Sequence, residues 1–268
     1  MTFEIVGEET CNVPFVARVP HSATLIPPDV MGTIELDREA LRRELVRMTD
    51  WHTDELFGCV VGLGGVFFVN RLSRLVVDPE RFRDDAREPM SACGMGAVYT
   101  RTSDGAPLRQ GLTVAKRETL LSRYYDPCAL AFERLVCRML ERYDKCLIVD
   151  GHSFPTSPLP YELDQSPNRP DICLGSDPFH TPEELLAVMG ASARDLGLST
   201  ARNRPFAGAY VPSRFLNSDR RVASVMIEVR RGLYCDESTG RKSAAFEHTG
   251  QVLMGLLRTL AKLWTGMH

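Results

Sequence analysis

The sequence predicts an α/β fold, a three-layer α/β/α sandwich around a mixed, mostly parallel sheet. Two observations carry this. Short, nearly continuous apolar runs rich in β-branched residues recur along the chain, as expected of strands covered on both faces. Segments with helical spacing of apolar residues lie between them, and strands alternating with helices build layered α/β sheets. The 268 residues are enough for one large core, and the chain is read as a single domain over 1–268.

In chain order, strands are expected at 15–19 (FVARV), 65–71 (GVFFVNR), 74–78 (RLVVD), 145–150 (KCLIVD), 171–175 (DICLG) and 222–229 (VASVMIEV). Leu41, Leu45, Met48 and Leu56 predict a helix over 37–57. Residues 113–143 carry a longer helical pattern that Pro127 should break or kink, giving two helices with a joint near Asp126. At 181–197, Thr181 is placed as N-cap, Pro182 at the first helical position and Gly197 at the end. A last helix is expected over about 242–264. The stretch 79–112 exceeds ordinary connection lengths and reads as a functional loop or a hairpin excursion through GAVYTRTSDGAPLR.

A net charge of −3 and a pI near 6.1 give no general attraction to nucleic acid or to an anionic membrane. The eight cysteines form no CxxC pair, which points to a reducing compartment and away from a thiolate zinc site. The acidic N-terminus lacks the pattern of a signal peptide, and no apolar run approaches the ~20 residues of a membrane span. A cytoplasmic location is the expectation.

Sheets of this class bind ligands at the carboxyl ends of their strands. Several polar groups collect there: His21 after FVARV, Asp78 to Arg81 after RLVVD, and Asp150 and His152 in LIVDGHS. Glu228 interrupts an apolar run, so it must be paired, metal-linked or functional. Two histidines with nearby carboxylates are the parts of a catalytic zinc site, although each histidine taken alone could be a satisfied structural residue. Arg71, Arg74 and Arg81 bracket one predicted strand. Their guanidinium groups suit bidentate capture of a substrate carboxylate, or simple pairing with Asp78, Glu80, Asp84 and Asp85. His180 and His248 read as surface residues.

An ordered set of segments carries a resemblance: VPHSATLIP (19–27), TDWHTDELF (49–57), SRLVVDPERF (73–82), IVDGHS (148–153), RPDICLGSD (169–177), FAGAYVP (206–212) and IEVRRGLYCDE (227–237). The chain resembles the N-formylglutamate amidohydrolase family, related in fold to zinc carboxypeptidases and to aspartoacylase and succinylglutamate desuccinylase. This implies a zinc-exopeptidase-like fold and one Zn2+ per chain. It further implies hydrolysis of N-formyl-L-glutamate or a related small N-acyl amino acid, with histidine degradation as the pathway.

By the same resemblance, His21 and His152 look like metal ligands. The carboxypeptidase pattern puts an acidic ligand three residues after the first histidine, where this chain has Thr24, so Asp50 becomes the candidate third ligand, with His52 behind it. Glu228 looks like the general base, Arg74 would polarise the scissile carbonyl, and Arg81 would clamp a carboxylate, with Arg71 and Tyr210 as further substrate contacts. Asp150 would orient a histidine, Gly151 would let the backbone turn sharply, and FAGAYVP would shape the pocket mouth. The relatives read DLNR where this chain reads DPER, so Glu80 disfavours an anionic substrate unless it points away.

Overall fold

The computed structural model describes residues 2–267. A seven-stranded sheet runs in the order β1 (Phe3–Val6), β3 (Val66–Asn70), β2 (Phe15–Val19), β4 (Cys146–Phe154), β7 (Val222–Arg230), β5 (Ile172–Gly175) and β6 (Thr200–Arg202). β1 on β3 and β5 on β7 are antiparallel and the other pairings are parallel, so the sheet is mixed and mostly parallel as predicted. A small pair, β8 (Cys235–Asp236) and β9 (Arg241–Lys242), stands apart.

The helices are α1 (Pro28–Met31), α2 (Arg38–Met48), α3 (Thr53–Gly58), α4 (Val114–Leu120), α5 (Asp126–Tyr143), α6 (Glu183–Asp195) and α7 (Phe246–Gly266). Strand alternation divides them between the two faces. Ala17, Leu147, Val149, Val225 and Ile227 point to the face covered by α3, α6 and α7. Val16, Cys146, Ile148 and Val222 meet Phe132, Leu135, Val136 and Met139 of α5 on the other. That second face changes character along the strands. Past the cover of α5, the same side of β2, β4 and β7 presents Arg18, then Asp150 and His152, then Glu228. The fold delivers these polar groups together at the carboxyl end of the sheet.

Several sequence expectations need correction. The predicted strand 74–78 does not pair with the sheet; Leu75, Val76 and Val77 turn into a separate apolar cluster with Met95, Val98, Tyr99 and Leu108 under the 79–112 segment. Buried apolar residues of a packed loop give the same sequence signal as a strand. That loop does carry a short 3₁₀ turn (Pro89–Cys93) and, within the expected excursion, a minimal hairpin closed by an antiparallel bridge between Arg101 and Pro107.

Helix 37–57 is split into α2 and α3, with His52 in the left-handed region at φ 60°. The split frees Asp50 from a helix surface. The 113–143 stretch forms two helices with the expected joint just before Asp126: a π-helical turn over Leu121–Tyr125 joins α4 to α5, and Pro127, in the first turn of α5, needs no amide partner. Thr181 does not cap α6; its hydroxyl donates to the Ser224 carbonyl.

Gly151 makes no sharp turn, and His152 is not at a strand end, because β4 continues in register with β7 to Phe154. Gly151 is needed for space. A Cβ there would sit 2.8 Å from ring carbons of the fully buried Phe57.

Candidate active site

His21 follows β2, and its backbone is held by the Asn70 side chain, whose Nδ2 donates to the carbonyls of Pro20 and Leu72, each at 2.9 Å. Asp50 lies between α2 and α3 and donates its backbone N–H to the His21 carbonyl at 3.0 Å. His152 on β4 is opposite Glu228 on β7 in the parallel register, so both side chains leave the same face. All four line a cavity of about 330 Å³, with Arg74, Glu80, Arg81, Tyr161, Phe206 and Arg231.

The two imidazoles converge on one carboxylate oxygen. Asp50 Oδ2 is 3.2 Å from His152 Nδ1 and 3.6 Å from His21 Nδ1. His21 Nδ1 is buried with no hydrogen-bond partner, an expensive condition unless something electrophilic is meant to face it. The outward nitrogens meet carboxylates: His21 Nε2 is 2.7 Å from Asp78 Oδ1, and His152 Nε2 is 3.2 Å from Asp150 Oδ2. His21 has the orientation of a metal-ligating histidine, its far nitrogen on a carboxylate and its near one unpartnered, whereas His152 is held through Nδ1 by Asp50 and its Nε2 makes no hydrogen bond. Two imidazoles and a carboxylate are a donor set suited to zinc-class divalent cations, so the residues fit a metal.

The electrostatics agree with a cation site. Burial disfavours an imidazolium at His152, yet Asp150, then Asp50 and Glu80, outweigh it and push its pKa well above the usual histidine value. Asp50 is opposed by burial, but its contacts with His152, His21 and Arg231 hold it ionised far below the ordinary carboxylate range. A field that holds a proton so firmly also favours a metal cation in its place.

Glu228 behaves differently. It is 7 % exposed, its Oε2 has no partner, and burial raises its carboxyl to about 8 against the pull of His152. A carboxyl of this kind beside a metal-type donor set can move a proton near neutral pH.

Asp78 is the hub of the cationic side. Besides His21 it accepts from Arg74 Nη2 at 2.8 Å, from the Tyr99 hydroxyl at 2.5 Å and from the Glu80 amide at 2.9 Å, and Arg81 Nε lies 3.7 Å away. Arg74 Nε also donates to the Tyr99 hydroxyl at 3.0 Å. Arg81 Nε is buried without a hydrogen bond, its guanidinium paired only loosely with Asp78, and the residue lines the cavity.

The structure thus brings together His21, Asp50, His152, Glu228, Arg74 and Arg81. It does not bring Arg71 or Tyr210 to the cavity, and both expectations as substrate contacts are corrected. Arg71 pairs with Glu4 at 2.8 Å and Asp54 at 2.9 Å and is not among the residues that line the cavity. Tyr210 lies flat against Arg18, ring centroid to guanidinium carbon 3.6 Å, supporting that cation from behind. His52 also turns away, its Nε2 on the Gly240 carbonyl at 2.8 Å. His180 is not a surface residue: it is buried, with Nδ1 on the Val222 carbonyl at 2.6 Å and Nε2 accepting from the Asn217 amide at 2.9 Å. Phe206 and Ala207 of FAGAYVP do line the cavity.

Glu80 remains on the cavity wall, and its charge is only partly offset. It forms an ion pair with Arg18, whose Nη1 also donates to Asp150 at 2.9 Å. Arg18 and Arg231 were missed from the sequence, although the logic applied to Glu228 would have flagged Arg18, a charge inside FVARV. A larger groove of about 760 Å³ lies beside α5, but its acids and bases are mostly exposed and include none of the buried cluster.

The described residues contain no helix long and apolar enough to cross a membrane. The family model for N-formylglutamate amidohydrolase matches residues 13–235. The chain is 26% identical over 265 residues to an N-formylglutamate deformylase of Pseudomonas aeruginosa, covering 96% of each chain. It is also 26% identical over 258 residues to one of Pseudomonas putida, covering 93% of this chain and 92% of the relative. The crystal structure of N-formylglutamate amidohydrolase from Ralstonia eutropha superposes with a TM-score of 0.87 at 26% identity, covering 98% of both chains.

Proposed function

The chain belongs to the N-formylglutamate amidohydrolase family, and we propose from that premise that it hydrolyses N-formyl-L-glutamate, or a closely related N-acyl amino acid, to the amino acid and the free carboxylic acid. The observation that carries this is the convergence of His21 Nδ1, His152 Nδ1 and Asp50 Oδ2 beside a buried, partnerless Glu228. We assign zinc to the three converging donors. When bound there, zinc supplies Lewis acidity, polarising a carbonyl and acidifying water.

The remaining steps belong to the protein's own side chains. Glu228 takes a proton from the attacking water as the new C–O bond forms. The negative charge on the former carbonyl oxygen is met by Arg74, held in place by Asp78 and Tyr99. When the C–N bond breaks, Glu228 returns its proton to the leaving amine nitrogen, so formic acid and a neutral amine result, which become formate and an ammonium once the acid's proton passes to the amine. Arg81, which lines the cavity and is only loosely paired with Asp78, clamps a substrate carboxylate. The apolar walls, among them the buried Phe154 and Met226 and the half-buried Phe206, limit competing water.

Glu80 favours a second reading, in which the substrate is another N-acyl amino acid, because a glutamate side chain would bring a second negative charge to a wall that already carries one. Formate release from N-formyl-L-glutamate and from N-formyl-L-leucine separates the two. Glu80→Asn leaves Arg18 shared only with Asp150 and adds one net positive charge to the cavity. KM for the dianionic substrate should then fall by about tenfold relative to the leucine derivative. Equal shifts for both substrates would show that Glu80 does not read substrate charge.

A further inference from the structure

Arg231 stands just past β7, at the start of the 3₁₀ turn Arg231–Leu233, and is 5 % exposed. No role in hydrolysis has yet been given to it, although it lines the cavity. Its guanidinium is almost fully engaged. Nη1 donates to the Arg47 carbonyl at 2.6 Å, Nε to Ser153 Oγ at 3.2 Å, and Nη2 to the Ser153 carbonyl at 3.2 Å and to Asp50 Oδ1 at 3.1 Å.

These partners come from the pieces that must be registered to build the donor set. Arg47 is in the last turn of α2, three residues before Asp50, and Ser153 follows His152 on β4. Asp50 lies on the short non-helical link between α2 and α3, and Arg231 is the hydrogen-bond partner of its Oδ1. With Oδ1 taken by Arg231, the other oxygen is the one left toward His21 and His152.

We propose that Arg231 is the positioning residue of the metal site: it joins the end of α2 to β4 and fixes Asp50 so that only Oδ2 is presented to the cation. The inference rests on the metal reading of His21, Asp50 and His152. The rigid fork of a guanidinium can hold Arg47, Ser153 and Asp50 at once, which a lysine ammonium cannot do from one point. Arg231 has few donors left for a substrate, so its effect passes through Asp50.

Arg231→Met and Arg231→Lys test this, with zinc affinity measured by chelator competition and the visible spectrum of the Co2+-loaded protein as readouts independent of turnover. Removing an outer partner of a metal ligand typically costs 10–100-fold in metal affinity. Arg231→Met is expected in that range, with an altered cobalt spectrum. With zinc in excess, kcat should fall while KM stays near the wild-type value, and added guanidinium should restore part of the loss. Arg231→Lys, which keeps the buried charge and is the safer variant to fold, should lose about tenfold in zinc affinity. Zinc affinity and cobalt spectrum unchanged in folded variants would overturn the proposal, even if they unfold more readily. Wild-type protein that binds no zinc would overturn it too, by removing the metal reading beneath it.

Discussion

Replacing Glu228 with Gln is expected to lower kcat for formamide hydrolysis by roughly 10³-fold, within the range general acid–base catalysis supplies, while the protein still folds and binds one metal ion. Glutamine keeps the size of the side chain and its place on β7 opposite His152, but it cannot accept the proton of an attacking water. The wild-type carboxyl is buried, raised to about 8 and unpartnered at Oε2, so no structural bond at that atom is lost in the exchange. The expected signature is therefore a kcat defect with nearly unchanged stability. A fall of less than about tenfold would assign the proton transfer to another group.

Asp78→Asn should act on stability and site together. Asp78 is fully buried and gathers His21, Arg74, Tyr99 and the Glu80 amide. Breaking one side of a buried charged network costs about 3–5 kcal/mol, because the remaining charges keep their burial and lose their partner. Burial opposes ionisation of Asp78, but His21 and Arg74 hold its pKa well below the ordinary value. A folded-state pKa below the unfolded one gives stability that is present above about pH 4 and lost as pH falls through the native value. Wild type should therefore weaken progressively below about pH 4, and Asp78→Asn should be less stable at pH 7 with a flatter dependence in that acid window. Denaturant midpoints for both proteins at pH 3 to 7 check this. Parallel curves would mean that Asp78 does not carry the network's charge.

The sheet was legible where burial on both faces wrote continuous β-branched runs, as in 15–19 and 222–229. It was misread at RLVVD, because a loop with its own apolar cluster satisfies the same pattern. The site was legible wherever a charge interrupted such a run, as Glu228 does, or ended it, as His21 does. Asp50 came from the resemblance, not from spacing, since its position depends on α2 stopping at Met48. Arg71 failed because proximity to a strand end does not say which way a side chain turns, and Tyr210 because membership of a segment that reaches the cavity does not put each of its side chains there; nearer partners claimed both. Arg231 was invisible as one of two adjacent arginines, and only the fold tells which of them meets Asp50.

The central claim is that the His21, Asp50 and His152 donors hold a metal on which hydrolysis depends. The most direct measurement is metal content together with formate release from N-formyl-L-glutamate, for wild type as purified, stripped by chelator and reloaded with zinc, and for His152→Ala. The account predicts about one zinc per chain, activity lost on stripping and regained on reloading, and neither zinc nor activity in His152→Ala. Full activity in the metal-free protein, or in His152→Ala, would contradict it.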